Sequence, residues 1–121
     1  MRTLAYPFIV AGFLFGVLAA QAGDCIINGP PPRLDSQPVE WTFEIASGQS
    51  CIRGLRSGAM LLDSVHLSSS ATAGLATVQG YSFTYRAPRD FKGEDTFAVT
   101  MSGLYRRVRG SSVIQVHVIV R

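Results

Sequence analysis

Tyr105, Arg106, Arg107 and Arg109 form the run whose residue types and spacing are best suited to chemistry. A guanidinium is a planar fork that binds carboxylate or phosphate through two parallel hydrogen bonds. Three such groups beside a phenol make a candidate surface for anionic lipid, wall polymer or an acidic protein face. The same charges at a hairpin tip would also keep a flat strand edge from pairing with other chains. Arg53 and Arg56, flanking Leu55, would extend the patch if folding brought them near.

The catalytic inventory is thin. His66 and His117 are the only histidines, and both fall in strand-like patterns. Asp63, three residues from His66, would point to the opposite face of a strand, so the two make no dyad. No G-x-S-x-G elbow is present. Glu40 and Glu44 share a strand face but stand about 13 Å apart at about 3.3 Å per residue, too far for a glycosidase carboxylate pair. Asp90, Glu94 and Asp95 are the only local acid cluster. Calcium wants about six to eight oxygens, and hydrogen bonding of Asp95 to the turn backbone at Gly93 is the simpler role. No catalytic residue, metal site or cofactor is expected.

The start of the chain carries an address. Arg2 supplies a positive end, residues 4–18 are mostly apolar, and Ala20-Gln21-Ala22 provides a small-x-small cleavage site. Residues 1–22 therefore read as a secretory signal peptide helix, leaving residues 23–121 as one domain of about 99 residues with a single modest core. Asp24 stands where a lipobox before Cys25 would want a small residue, so a lipid anchor is not expected. With the signal removed, no membrane span is expected. The chain has 11 basic and 8 acidic residues, and loss of Arg2 leaves a charge of about +2. That is too weak a field to argue for nucleic acid. In a periplasmic or secreted protein the two cysteines, Cys25 and Cys51, have one possible pairing. The bridge would close a loop of about 25 residues and stabilise by roughly 3 kcal/mol.

Short strands occupy the mature region. Val39, Trp41, Phe43 and Ile45 alternate with Glu40, Thr42 and Glu44, the period of a half-exposed strand. Residues 47–49 read as a hairpin turn with 50–54 as its return strand. Residues 24–28 and 62–68 are further strand candidates, and 75–78 with 81–86 form a hairpin around Gln79-Gly80. Residues 111–120 place Ile114, Val116, Val118 and Val120 on one face. Pro88 ends a strand, and Phe91 is the apolar plug of a charged corner within 81–100. Glycine and proline punctuate the chain, and no helical period of useful length follows residue 22. About seven strands at this spacing argue for an all-β, antiparallel sandwich. Trp41 fits its core, while an exposed Trp41 would instead stack on a sugar ring.

Tyr85-Arg86-Ala87-Pro88 followed by Phe91-Lys92-Gly93-Glu94-Asp95-Thr96-Phe97 resembles the Y-x-P…F-x-G-x-D-x-F signature of bacterial immunoglobulin-like and cadherin-like repeats. The A-x-x-G-x-A-x-V-x-G-Y-x-F-x-Y stretch at 71–85 and the closing valines are similar to that family too. The resemblance spans about sixty residues, from Val65 to Val120. It implies an immunoglobulin-like β-sandwich in exported proteins, used for adhesion or spacing. Two departures stand out: a single module behind its own signal, and residues 102–110 in place of the Asp-Gly-rich segment usual before the last strand.

The expected function is a non-catalytic exported interaction module of the bacterial envelope, with a protein or an anionic envelope component as partner. The alternatives are an inhibitor of an extracytoplasmic hydrolase, inserting residues 104–110 into an active site, and a carbohydrate-binding module. The cysteine pairing has a direct check. Unreduced mature protein should take up no thiol label under denaturing conditions and two labels after reduction; two labels before reduction would exclude the bridge.

Overall fold

The computed structural model describes residues 23–121; the signal peptide expectation for 1–22 lies outside them. Eight strands follow in order: β1 (Gly23–Asp24), β2 (Val39–Ile45), β3 (Ser50–Gly54), β4 (Met60–Ser69), β5 (Leu75–Gln79), β6 (Ser82–Arg86), β7 (Gly93–Tyr105) and β8 (Val108–Val120). They form two four-stranded sheets, ordered β1-β3-β6-β5 and β2-β8-β7-β4. The result is an all-β sandwich. Among the described residues, no helix is long and apolar enough to cross a membrane.

Alternation places the core. Phe43 and Ile45 of β2, Phe97, Val99 and Met101 of β7, and Ile114, Val116, Val118 and Val120 of β8 all point inward from one sheet. Phe83 and Tyr85 of β6 meet them from the other. Tyr85 stacks on Phe97 at 5.7 Å, and Phe43 and Phe83 complete the cluster edge-on, to Tyr85 at 5.8 Å and Phe97 at 5.2 Å respectively. Such pairs add about 1 kcal/mol each beyond the area they bury. Phe91 is half-buried and packs on the margin of this core.

Several strand assignments change. The turn at 47–49 forms, with Gly48 at φ 75° and Gln49 N–H donating to Ala46 at 3.1 Å. It does not make a hairpin, because β3 leaves for the opposite sheet and pairs with β6 and β1. The edge β2 instead runs parallel to β8 from Val39↔Ile114 to Ile45↔Val120, and β1 is parallel to β3. The sandwich is therefore antiparallel apart from these two pairs. Alternation specifies which face a side chain takes but not which neighbour the strand chooses. Of residues 24–28 only Asp24 lies in a strand, at the end of the short β1, and Asn28 makes a single bridge to Thr42 on the β2 edge. The long edge strand β4 is broken by irregularities at 62–64 and 67–69, which discourage pairing with other chains.

The Cys25–Cys51 disulfide forms, tying the chain beside β1 to β3. A second tie is polar. Asp95 is almost fully buried and accepts hydrogen bonds from the backbone N–H groups of Thr72 (2.8 Å), Ala73 (3.1 Å), Gly74 (2.8 Å) and Thr96 (2.9 Å) and from Tyr85 Oη (2.7 Å). Its role is therefore to hold the loop before β5, and not the Gly93 turn that lies two residues away. Gly74 is needed there because a Cβ would stand 2.5 Å from Tyr85 Oη and 2.5 Å from the Arg86 carbonyl oxygen.

Burial alone would push the Asp95 carboxyl up, but donors from Gly74, Tyr85, Ala73 and Thr72 outweigh it and hold its pKa below the ordinary 3.8. Burial first, and then the hydrogen bond to Asp95, push the Tyr85 phenol above its ordinary 10.0. A lowered folded-state carboxylate pKa stabilises above the unfolded value, and that contribution is lost as pH falls through the folded value. For Tyr85 the sign reverses: the contribution is present below the unfolded value and fades as pH rises beyond it. Asp95→Asn should cost about 3 kcal/mol in urea unfolding, and Tyr85→Phe about 1.5 kcal/mol. The Asp95→Asn protein should also lose much of the acid-side slope in stability below about pH 4.

Candidate functional site

One end of the sandwich collects most of the uncompensated cations. The expected loop at 104–110 is strand almost throughout. β7 and β8 pair without interruption to Tyr105↔Val108, leaving Arg106 and Arg107 as a two-residue turn. Both have positive φ, 50° and 69°. That is the geometry of a type I′ hairpin turn, normally occupied by Asn-Gly because a β-carbon is disfavoured there. Two arginines in these positions cost on the order of 1 kcal/mol each.

The four predicted binding residues have different surroundings. Tyr105 is half-buried against the core, with the Arg106 guanidinium 5.4 Å above its ring. Arg107 is exposed at the tip. Arg109 forms an exposed ion pair with Asp63 of β4. The turn is buttressed by the Arg106 N–H, which donates to Ala59 at 3.4 Å. Residues 33–36 pack alongside: Leu34 N–H donates to Ser112 Oγ at 2.9 Å, and Ser36 N–H to the Ser111 carbonyl at 2.9 Å. Gly110 permits this approach, since a Cβ would fall 1.8 Å from the Leu34 carbonyl oxygen. Arg33 thereby joins Arg106 and Arg109 around a shallow groove that also contains Asp35.

Arg56 lies at the same end. Its guanidinium sits 4.9 Å above the Tyr81 ring, while Tyr81 Oη donates at 3.5 Å to the carbonyl of Asp63, the residue paired with Arg109. Among the described residues, eight cations have no carboxylate partner: Arg33, Arg53, Arg56, Arg106 and Arg107 on this side, and Arg86, Arg89 and Lys92 elsewhere, while Arg121 pairs with Glu44 at 3.1 Å.

A second feature is a cleft of about 230 Å³ walled by Ile27, Pro31, Pro32, Leu55 and Met60. Arg53 lines it, on the same face of β3 as the buried Cys51 two residues earlier and in line with buried Leu55 beyond the strand. Its guanidinium stacks 5.5 Å from the Trp41 ring centroid. Trp41 is only 4% exposed, and its Nε1–H donates to the Pro30 carbonyl at 2.7 Å. No face of this ring is free to receive a sugar. Arg53 Nε is shut from solvent with no hydrogen-bond partner, a deficit of about 1–3 kcal/mol. The spacing Cys51-x-Arg53-x-Leu55 was the available sequence signal that Arg53 faces inward. Its stacking partner, on the other sheet, left no local trace.

The histidines lie apart from both features. His117 Nε2 contacts Glu40 Oε1 at 2.5 Å on an exposed sheet face, and His66 is exposed on β4.

No family model and no curated protein matches the chain. Among solved structures it is similar to a crystal structure of sialyltransferase from Photobacterium damsela, at 13% identity and a TM-score of 0.43. The match covers 70% of this chain and 18% of that one. At that level the likeness carries no argument about activity.

The strained turn yields a stability test. Replacing Arg106-Arg107 with Asn-Gly should raise unfolding stability by about 1–2 kcal/mol in urea denaturation, because both residues tolerate positive φ. Unchanged or lower stability would mean that the arginines offset their strain through contacts at this end.

Proposed function

We propose that the protein is a non-catalytic binding module of the bacterial envelope, periplasmic or secreted, that uses the arginine-rich end of its sandwich to engage an anionic envelope component. The observation that carries this reading is the Arg106-Arg107 turn. A hairpin joined by two arginines at positive φ, with neither side chain paired to a carboxylate among the described residues, keeps charge at a position where stability favours Asn-Gly. Local strain retained at an exposed tip is a pointer to function. Arg33 and Arg56 add cations on either side, and Asp35 and Asp63 only partly offset them.

The disulfide between Cys25 and Cys51 supports an oxidising compartment. The resemblance at residues 85–97, where Pro88 stands one position later than in the Y-x-P part of the signature, supports an exported module. The hydrolase-inhibitor alternative has less in its favour, because the segment offered as an inserting loop is paired strand, and its turn is tied to Ala59. The carbohydrate alternative lacks the exposed tryptophan face it needs.

The test is sedimentation of residues 23–121 with phosphatidylglycerol vesicles, with lipopolysaccharide as a second anionic surface and neutral phosphatidylcholine vesicles as control. Binding should be confined to the anionic surfaces and fall with added salt. The Arg106→Ala/Arg107→Ala/Arg109→Ala variant should bind about thirtyfold more weakly, at about 1 kcal/mol for each of the two unpaired arginines. Equal binding by wild type and variant, or no binding by a folded wild type, would overturn the proposal.

A further inference from the structure

We infer that the cleft between Trp41, Arg53, Arg56 and the Pro31-Pro32 wall is a receptor for the free C-terminal carboxylate of a partner polypeptide ending in a compact apolar residue. The inference rests on the reading of this chain as a binding module, but on different residues from the hairpin tip.

Three observations carry it. First, the cleft combines two guanidinium groups with apolar walls. Arg53 stacks on Trp41 and Arg56 on Tyr81, so both are oriented by an aromatic face, and neither has a carboxylate partner among the described residues. Orienting a fork in advance reduces the entropy lost when it binds a planar carboxylate. Second, Arg53 Nε is buried without an acceptor at the border of the cleft. A carboxylate approaching side-on uses Nε together with one Nη, so a small turn of the guanidinium would satisfy a donor the free protein leaves unpaired. Third, the remaining lining suits a hydrocarbon side chain. Ile27, Pro31, Pro32, Leu55 and Met60 supply apolar surface, and about 230 Å³ fits a terminal residue but not an extended ligand.

These features separate the candidates. Inorganic phosphate would pair with the arginines but leave the apolar walls without an occupant. A carboxylated sugar would bring hydroxyl groups to walls that offer them little, and the one tryptophan that could stack on its ring is already covered by Arg53. A peptide C-terminus is the chemistry in which a carboxylate and an apolar group are one carbon apart.

Trp41 is the only tryptophan in the chain, and it lies directly beneath Arg53, so its fluorescence reports on the cleft. Titration of residues 23–121 with acetyl-Ala-Ala-Leu as the free acid should change Trp41 emission saturably. The C-terminal amide of the same peptide, glucuronate and inorganic phosphate should each bind at least about tenfold more weakly. Arg53→Lys retains the charge but removes the fork, and should weaken the free acid by about tenfold. Arg56→Gln should weaken it as well, with thermal unfolding confirming that both variants remain folded.

Equal binding of acid and amide would overturn the inference. So would preferential binding of glucuronate or phosphate, or no response in a folded protein. The Arg106→Ala/Arg107→Ala/Arg109→Ala variant should bind the free acid as the wild type does. If vesicle binding fails and peptide binding holds, the hairpin reading alone is wrong; the reverse outcome removes the cleft alone.

Discussion

A buried carboxylate cannot be left without donors, and the Asp95 side chain satisfies this requirement by drawing distant parts of the chain together. It accepts from three consecutive backbone N–H groups at 72–74, more than twenty residues away, from its neighbour Thr96, and from the Tyr85 hydroxyl. Tyr85 then stacks on Phe97 and meets Phe43 edge-on. One carboxylate thus holds the loop entering β5, sets the depth of the central aromatic ring of the core, and couples β6 of one sheet to β7 of the other. Removing one partner of such a network leaves the rest desolvated and unpaired, so the cost exceeds that of one hydrogen bond.

With the sheets held in this way, the other devices work at the ends. The disulfide fixes the segment after β1 against β3, and the bridge at Asn28 guides the chain onto the edge of β2. Between these points Pro30 receives the Trp41 indole N–H and Pro32 is buried, so the wall of the cleft is anchored to the sheet, with φ fixed at each proline. The long β7–β8 hairpin carries its turn to the same end, where the 57–59 turn and the segment around Leu34 brace it. Positive charge is concentrated there by topology: Arg33, Arg53, Arg56, Arg106, Arg107 and Arg109 come from three separate stretches of sequence.

Much of the fold was legible because alternation is a local property. The inward positions of β2, β6 and β8 follow from side chains two residues apart, and the structure buries Phe43, Phe83, Tyr85, Val116 and Val118 as that rule requires. The cysteine pairing was legible by elimination. Partner choice was not. Residues 45–50 carry every local sign of a hairpin, yet β2 and β3 part into different sheets, and the neighbour β2 takes lies about seventy-five residues on, in β8. The basic segment was found, but its form was misjudged: 104–110 was expected to be an inserting loop, whereas β7 and β8 stay paired through it and Gly103 and Gly110 are a cross-strand pair inside the hairpin.

The sequence by itself determined the sandwich class, the inward faces, the disulfide and the arginine-rich segment after β7, since each depends on residue type and short spacing. Only the tertiary structure decided that Asp95 serves the 72–74 loop, that Arg106 and Arg107 alone make the turn, and that Arg53 lies over Trp41 beside an apolar cleft. These depend on contacts between strands of different sheets, or on φ angles that arginine adopts only when the paired strands on either side require them.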